Sequence, residues 1–451
     1  MVAEIIINSI VKTLNRVFDY NIPKELENKI KIGSRVLVPF GNGKKLEDGF
    51  VINIKQSSEY KIKDIVKFEE QAFSKENIEL AKWMSNRYFC NISDCLKLML
   101  PPGTATKELE NRTKEKLINF VYLAKEADEI ENAIENKIIK SEKQIRVLKF
   151  LEENEEATVS DIEMFTEASR AIVKTLEKNG FVEIIAKEVE RNPFIHKNIQ
   201  RDEKRKLTEE QQLAFNTINK SIIGHEFKEF LIYGVTGSGK TEVYMQLIGN
   251  VLKQEKTAIV LVPEISLTPQ MVDRFIARFG EETIAVLHSK LSVGERYDQW
   301  NKIKNGDAKI VIGARSAIFA PIKNLGIIII DEEHDDSYKS EMNPRYNAKE
   351  ISKIIAKQNN IPLVLGSATP SVDIYYKAKQ KEITLIELTK RANNSNLPNV
   401  EIVDLRNELA EGNRSMLSRR LYYLIQENIK NKKQTILFLN RRGFSTFIMC
   451  R

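Results

Sequence analysis

The sequence predicts a multi-domain α/β protein whose largest domain is built on a parallel β-sheet. Its 451 residues are enough for about two to four domains of roughly 100–200 residues each. From residue 230 onward, short apolar runs alternate with helical patterns, which is typical of strands buried on both faces of a parallel sheet. The first 100 residues instead show short apolar runs separated by glycines, which favours a small barrel or sheet.

The composition narrows the class of protein further. Apolar residues make up 42% of the chain, and this excludes wholesale disorder because disordered chains have too few apolar residues to form a core. Three cysteines exclude a disulfide scaffold, and no apolar run reaches the roughly 18–20 residues of a membrane span. The net charge of +7 leaves open a solvated lysine-rich surface or a nucleic-acid partner. The N-terminus has no basic leader, so we expect a cytoplasmic protein without membrane contact.

Residues 1–104 form the first predicted domain. Strands are expected at Ile5–Ile7, Val36–Val38 and Phe50–Ile54, and a helix from about Lys75 to Phe89. The Leu-Pro-Pro-Gly break at 100–103 marks the boundary. This domain is therefore predicted to be β-rich with a helix at its end.

Residues 105–192 form the second predicted domain. Lysine and glutamate alternate over 106–143, which favours a solvated helix or linker. Residues 141–190 then show three short helical patterns followed by a strand. Two interpretations remain open, a winged helix and an ordinary small helical bundle.

Residues 193–392 form the third predicted domain, which contains the parallel sheet. Six short apolar runs mark its strands: Phe230–Tyr233, Ala258–Val262, Ile284–Leu287, Lys309–Ile312, Ile327–Ile330 and Pro362–Leu365.

A phosphate-binding loop is predicted at 234–241. The segment fits G-x-x-x-x-G-K-[ST] and stands between a predicted strand and a predicted helix. Backbone amides of such a loop surround phosphate oxygens, while Lys240 reaches the β- and γ-phosphates and Thr241 holds Mg²⁺. The alternative is a chance glycine-rich turn. The loop residues expected to bind ATP are Gly234, Thr236, Gly237, Ser238, Gly239, Lys240 and Thr241.

An acid pair follows the strand of four isoleucines. Acidic residues at the carboxyl end of a buried parallel strand face the phosphate site of such a sheet. Asp331 is therefore expected to hold Mg²⁺, and Glu332 to act as the general base toward water. The plainer alternative is an acidic cap on a helix.

Three further loops are expected to lie at the same edge of the sheet. They are 263–270, 313–317 with Arg315, and 366–371 with Thr369. Small hydroxyl residues with an occasional arginine suit contacts to nucleic-acid phosphates. Each loop alone is a weak indication.

Taken together, five segments resemble one family: Gly234–Tyr244, Val262–Gln270, Leu287–Ser289, Asp331–Asp335 and Gly366–Ser371. A P-loop, an acid–acid–x–His box and a Ser-Ala-Thr turn in this order resemble superfamily 2 helicases. The residue-by-residue sequence of these segments is similar to that of the PriA family of bacterial replication-restart helicases. The stretches 18–20 and 35–41 resemble that family's 3′-end-binding domain. The resemblance implies a RecA-like motor lobe at 193–392.

The resemblance also implies roles for residues outside the P-loop. Gln211 is implied to contact adenine. The pocket for the 3′ end of a nascent strand is implied to contain Phe18, Asp19, Gly41 and Lys63.

An aromatic-rich loop that couples DNA contact to ATP hydrolysis is implied at 337–346. Aromatic rings stack on bases, and basic side chains hold phosphates. An alternative interpretation is that the tyrosines are ordinary packing residues. Asn347 departs from the histidine common in the family. The implied coupling residues are Tyr338, Lys339, Arg345 and Tyr346.

In function, the resemblance implies an ATP- and Mg²⁺-dependent 3′→5′ DNA helicase that recognises stalled or branched forks and initiates replication restart. The implied partners are forked and single-stranded DNA, primosome proteins and the single-stranded-DNA-binding protein, in a cytoplasmic, nucleoid-associated setting. Two alternatives stay open, a fork-binding assembly platform with an idle ATPase and a double-strand DNA translocase. The 3′-end-like domain argues against the translocase.

Residues 393–451 resemble the start of a second motor lobe, with a strand and turn at 435–444. The family's later motifs are absent there, so we expect this chain to bind nucleotide and DNA but to hydrolyse ATP poorly and not to unwind. Zn²⁺ is implied for the family, and Cys450 corresponds to a first zinc ligand. One cysteine cannot complete a zinc site, so we expect no zinc within this chain.

Overall fold

The structure, a computed structural model, describes residues 1–8, 16–41, 46–104, 117–136, 138–139, 141–154, 156–166, 168–188, 200–264, 266–391 and 399–438. The chain divides into a large compact unit, Met1–Asn393, and a small one, Asn394–Arg451.

Six strands form the N-terminal sheet: β1 (Val2–Ile7), β2 (Val17–Asn21), β3 (Ser34–Pro39), β4 (Leu46–Lys55), β5 (Lys63–Asp64) and β6 (Lys67–Gln71). Their order is β5-β2-β1-β4-β3-β6, antiparallel except for the pair β2 and β5. Successive side chains point to opposite faces of a strand, so Ile5 and Ile7 enter one apolar cluster and Ile6 enters another. The predicted strands are thereby confirmed.

Two helices cover the face of this sheet that carries Ile6. Helix α1 (Lys75–Tyr88) begins after Ser74, whose side chain accepts a hydrogen bond from the amide of Asn77, and α2 (Ile92–Lys97) follows it. The helix predicted from about Lys75 is confirmed. Its buried residues are Ile78, Leu80, Ala81 and Met84.

A buried ion pair ties β3 to β4. Arg35 is fully buried, and its guanidinium donates to both carboxylate oxygens of Asp48, with the closest contact at 2.6 Å. The same guanidinium donates to the carbonyl oxygen of Thr104 at 3.1 Å. Breaking such a pair on one side costs about 3–5 kcal/mol because the remaining charge stays desolvated.

In its described residues, the middle of the chain combines three strands and four helices. They are β7 (Leu117–Leu123), α3 (Ala127–Glu135), α4 (Glu142–Asn154), β8 (Glu156–Thr158), α5 (Val159–Thr166), α6 (Arg170–Lys178) and β9 (Val182–Glu188). The strands pair antiparallel in the order β8-β7-β9, and α4, α5 and α6 share their core. The three-stranded sheet excludes a purely helical bundle, and the winged helix stays a prediction.

The expectation of a solvated helix or linker over 106–143 is wrong for residues 117–136. The charged flanks conceal an apolar stretch that becomes the central strand of the small sheet, and Val121 in it is fully buried. Ile130 and Ala133 of α3 join the same core.

Seven parallel strands form the large sheet. The elements are α7 (Glu209–Gly224), β10 (Glu229–Gly234), α8 (Lys240–Lys253), β11 (Thr257–Leu261), α9 (Pro269–Phe279), β12 (Ile284–Leu287), α10 (Val293–Asn305), β13 (Ile310–Gly313), β14 (Leu325–Ile330), α11 (Ala348–Gln358), β15 (Leu363–Ser367), α12 (Val372–Lys379) and β16 (Thr384–Leu388). Their order is β12-β13-β11-β14-β15-β10-β16. Apolar clusters cover both faces, as predicted. All six predicted strands are confirmed, and β16 is an additional one.

The small unit contains helices α13 (Leu405–Ala410) and α14 (Arg419–Lys430). The strand expected from residue 435 does not form within the described residues 435–438, where Ile436 and Phe438 are exposed. A strand needs a hydrogen-bonding neighbour, and the described part of this unit contains no strand. Residues 439–444 lie outside the described residues.

Replacing Arg35 with alanine should lower the free energy of opening of β3 and β4 by about 3–5 kcal/mol, because Asp48 keeps its charge in a buried site. The double variant Arg35→Met/Asp48→Leu should be less destabilised than the single one, because no charge remains buried. Hydrogen exchange by mass spectrometry on the full chain measures this through the protection of the β3 and β4 amides.

The matched control is Lys82→Ala, which removes an exposed ion pair with Glu79 and should change stability by less than about 0.5 kcal/mol. Unchanged protection of β3 and β4 in Arg35→Ala would contradict the assigned role of the buried pair.

Candidate nucleotide and nucleic-acid sites

A cleft of about 620 Å³ lies at the carboxyl edge of the parallel sheet, and we call it the P-loop cleft. Most of the predicted residues line it: Gln211, Thr236, Gly237, Ser238, Gly239, Lys240, Thr241, Asp331 and Glu332. Gly234 lies beneath it, at the end of β10. Its wall also contains residues that the sequence did not single out: Arg205, Lys206, Thr208, Glu242 and Arg274.

The loop at the base of the cleft requires glycine at two positions. Gly237 and Gly239 have φ angles of +83° and +81°, a region that costs other L-residues roughly 1–2 kcal/mol. Gly239 is the N-cap of α8, so the positive end of that helix faces the loop. A glycine loop that leads into a helix N-terminus is a general anion-binding arrangement.

Two side chains brace the loop from inside. Lys240 is largely buried, and its Nζ donates to the carbonyl oxygen of Gly234 at 2.9 Å. Gln211 donates through Nε2 to the carbonyl oxygen of Ser238 at 2.8 Å. The Ser238 hydroxyl is buried without a hydrogen-bond partner among the described residues. An oxygen-rich anion such as a polyphosphate therefore fits the donors of this cleft.

The acid pair lies opposite the loop. Burial raises the pKa of Asp331, with the charge of Glu332 adding to the effect and Lys240 opposing it. A buried carboxylate in this state favours a cation nearby. Glu332 has a φ of +45°, a left-handed backbone conformation that is uncommon for residues other than glycine. Asp331 and Thr241 both line the cleft, and their oxygen atoms suit Mg²⁺.

The acid box is connected to the Ser-Ala-Thr turn through His334. Its Nδ1 lies 2.8 Å from the Ser367 hydroxyl and 3.6 Å from Oε2 of Glu332. Thr369, the exposed residue of this turn, donates its amide to the same hydroxyl at 3.0 Å. The turn is thus in hydrogen-bond contact with His334 of the acid box, and His334 lies beside Glu332.

Glu333 is a functional candidate that the sequence analysis missed. It is fully buried, and its carboxylate accepts hydrogen bonds from the amide and hydroxyl of Ser371 at 2.6 and 2.9 Å. Lys349 of α11 lies 3.2 Å from the same carboxylate. The acid box, the Ser-Ala-Thr turn and α11 therefore meet at one buried charge.

A second missed network supports the wall of the P-loop cleft. Arg278 of α9 contacts Glu242 of α8 at 3.0 Å and Asp202 at 2.8 Å. Burial alone would raise the pKa of Glu242, but hydrogen bonds from Arg278 and Gln246 hold it below its usual range. The pairing was invisible in the sequence because its members lie on three separate segments.

Four residues were predicted to bind the 3′ end of a DNA strand: Phe18, Asp19, Gly41 and Lys63. All four line one open cavity of about 730 Å³ on the N-terminal sheet, which we call the N-terminal cavity. Lys63 donates to the carbonyl oxygen of Gly41 at 2.6 Å. The ring of Phe18 packs edge-on against Phe40, with 5.1 Å between centroids.

Asp19 in this cavity has a defined hydrogen-bond environment. Its Oδ2 accepts from the Ser58 hydroxyl at 2.5 Å and from Nζ of Lys55 at 2.8 Å. Burial would raise the pKa of Asp19, but these two hydrogen bonds outweigh it and lower that pKa. The carboxylate is thereby kept ionised. Neither Lys55 nor Ser58 carried a signal in the sequence.

The predicted coupling residues divide into buried and exposed ones. Tyr338 and Tyr346 are only 1% and 2% exposed, so the packing alternative accounts for both rings. The Tyr338 hydroxyl donates to the carbonyl oxygen of Asp331 at 2.5 Å. Lys339 and Arg345 are exposed, and Arg315 donates to the carbonyl oxygen of Ser337 at 3.0 Å.

The end of α1 contacts the large sheet domain beside these residues. Glu350 of α11 accepts hydrogen bonds from Arg87 and from the Tyr88 hydroxyl, both at 2.8 Å. The amide of Asn347 donates to the same hydroxyl at 3.3 Å. This position commonly carries histidine in the family, but the contact uses the main chain and does not depend on the side chain. Asn343 donates to Asp94 of α2 at 3.0 Å.

Two predictions concern absences, one of a zinc site and one of membrane contact. Cys450 lies outside the described residues, so the zinc expectation has no structural counterpart. Within the described ranges no cluster of three or more metal-ligating side chains occurs. No helix in those ranges is both long and apolar enough to cross a membrane.

The parallel sheet, glycine loop and acid pair define a P-loop nucleotide-binding domain. In agreement, residues 208–376 match the family described as DEAD/DEAH box helicase, and residues 4–101 match the 3′ DNA-binding domain family. Over its whole length the chain is similar to the PriA family. The match to the helicase family implies ATP and Mg²⁺ as the ligands of the P-loop cleft.

Three relatives illustrate the similarity, each named replication restart protein PriA. The protein of Bacillus subtilis strain 168 is 38% identical over 100% of this chain and 63% of its own length. That of Chlamydia muridarum is 37% identical over 99% of this chain and 59% of its own length. That of Synechocystis is 43% identical over 66% of this chain and 36% of its own length. The chain thus spans about three fifths of the first two relatives.

Gly237→Ala should lower stability by about 1–2 kcal/mol and weaken the binding of a fluorescent ATP analogue by about 10–100-fold, because the shifted loop loses hydrogen bonds to a charged ligand. Gly306→Ala is the matched control, because its φ is +89° and nothing lies within 4 Å of an added Cβ.

The control should lose similar stability and keep its nucleotide affinity. Thermal unfolding and fluorescence titration measure the two effects separately. Equal nucleotide affinity in both variants would contradict the P-loop assignment.

Proposed function

We propose that this protein is an ATP-dependent 3′→5′ DNA helicase that recognises stalled or branched replication forks and initiates replication restart. One observation carries the proposal: a single chain holds both the P-loop cleft and the N-terminal cavity, within matches to a helicase and a 3′ DNA-binding domain. Such a function requires two abilities, ATP hydrolysis by a motor domain and recognition of the 3′ end of a DNA strand.

In the P-loop cleft, Gly234 and the loop residues 236–239 would surround the phosphates of ATP, and Gln211 would read adenine. Lys240, now bonded to a carbonyl oxygen, would turn to the β- and γ-phosphates. Thr241 and Asp331 would hold Mg²⁺, which when bound neutralises charge on the transferring phosphoryl group. Glu332 would accept a proton from the attacking water.

In the N-terminal cavity, the ionised Asp19 would accept a hydrogen bond from the 3′-hydroxyl of a nascent strand. Phe18 offers a ring for the terminal base, since base–aromatic stacking contributes about 1–3 kcal/mol. Lys63 and Gly41 would close the other side of the pocket. These assignments favour the helicase over a double-strand translocase, which does not need to read a strand end.

Arg315, Lys339, Arg345 and Thr369 are proposed to contact the DNA backbone near the motor, while the buried Tyr338 and Tyr346 would transmit that contact through packing. The proposed partners are forked and single-stranded DNA. Primosome proteins and the single-stranded-DNA-binding protein are proposed as further partners at the nucleoid. The domain limits 1–104, 105–192, 193–392 and 393–451 also remain proposals.

Two variants should affect the two activities separately. Asp19→Ala should reduce the preference for a fork with a free 3′-hydroxyl by about 10–100-fold, because a hydrogen bond to a charged group is lost. It should leave nucleotide binding unchanged. Lys240→Ala should weaken ATP binding and leave the 3′-hydroxyl preference unchanged.

Fluorescence anisotropy with two forks, with and without the 3′-hydroxyl, measures the preference at one fixed salt concentration, because phosphate contacts make affinity salt-dependent. Each variant serves as the control for the other. Equal binding of both forks by the unmodified chain would refute strand-end recognition.

A further inference from the structure

We propose that Tyr244 is a positioning residue for the Mg²⁺ carboxylate: its buried hydroxyl orients Asp331. This inference deepens the proposed function and rests on the assignment of Asp331 as a ligand of Mg²⁺. Neither the motif pattern nor the comparisons give Tyr244 a role.

The contact is direct. Tyr244 lies on α8, one turn beyond Lys240, and its hydroxyl donates to Oδ1 of Asp331 at 3.1 Å. The side chain is almost completely buried. The ring therefore has no freedom to carry the hydroxyl elsewhere, and the hydrogen bond holds one carboxylate oxygen in a fixed direction.

The surrounding backbone is shaped around this hydroxyl. A Cβ at Gly366 would stand 1.6 Å from the Tyr244 oxygen and 3.2 Å from Oδ1 of Asp331. Glycine at the end of β15 therefore leaves the space in which the tyrosine and the carboxylate meet. Any other residue at this position would force them apart.

A second tyrosine holds the same residue by its main chain. Tyr338 donates to the carbonyl oxygens of Asp331 and Leu261, at 2.5 and 3.1 Å. Its contact fixes the backbone, whereas the contact of Tyr244 fixes the carboxylate. Groups that hydrogen-bond a metal ligand in this way usually change metal affinity by about 10–100-fold when removed.

The test is Tyr244→Phe, which removes one oxygen atom and keeps the ring. Binding of a fluorescent ATP analogue is measured over a series of Mg²⁺ concentrations and also in EDTA. The Mg²⁺ concentration for half-maximal enhancement of binding should rise by about 10–100-fold. Binding in EDTA should stay unchanged, which also shows that the variant is folded.

Tyr233→Phe is the matched control. Tyr233 lies on β10, next to β15 in the sheet, and its ring packs on that of Tyr375 with 5.7 Å between centroids. It should keep the Mg²⁺ dependence of the unmodified chain. Gly366→Ala is a second variant, and it should raise the required Mg²⁺ concentration as Tyr244→Phe does.

Three outcomes would overturn a claim, and they are distinguishable. Unchanged Mg²⁺ dependence in Tyr244→Phe overturns the positioning role alone. An equal loss of binding with Mg²⁺ and with EDTA also overturns it, because the hydroxyl would then support the cleft as a whole. Failure of the unmodified chain to bind the nucleotide at any Mg²⁺ concentration overturns the proposed function itself.

Discussion

The arrangement of the motor domain depends on one buried negative charge, the carboxylate of Glu333. A buried carboxylate without partners would cost several kcal/mol, so the fold must bring donors to it. The donors come from Ser371 in the Ser-Ala-Thr turn and from Lys349 in α11. Three segments that are distant in the sequence are thereby held at one point. Asp331 and Glu332 immediately precede this anchor, which helps to fix the backbone that carries them to the cleft.

The same anchor lies close to the contact with the N-terminal domain. Lys349, which binds Glu333, is followed directly by Glu350, which accepts hydrogen bonds from Arg87 and Tyr88. Both residues belong to the first turn of α11, so a rigid shift of that helix would change both contacts at once. The acid box and the end of α1 are thus connected through one peptide bond and two side chains.

Local patterns predicted the parallel sheet and the P-loop, because a buried strand and a glycine loop are determined by consecutive residues. The strand β7 was missed because its apolar stretch is flanked by charges, and its partners lie more than thirty positions further on. Pairings such as Arg278 with Glu242 and Lys349 with Glu333 join separate elements, so no spacing rule reveals them. The burial of Tyr338 and Tyr346 likewise depends on tertiary packing, which the motif alone does not encode.

Asp331 and Asp19 show how the environment of a carboxylate selects its partner. Burial raises the pKa of Asp331, and the donors that reach its side chain and main chain are neutral tyrosine hydroxyls. Such a group gains most from a cation. Burial also acts on Asp19, but hydrogen bonds from Lys55 and Ser58 lower its pKa. Asp19 thus already has a cationic partner in Lys55, whereas no cationic side chain donates a hydrogen bond to Asp331 among the described residues. The two environments therefore support the different partners proposed for these carboxylates, a metal ion in the P-loop cleft and a hydroxyl group in the N-terminal cavity.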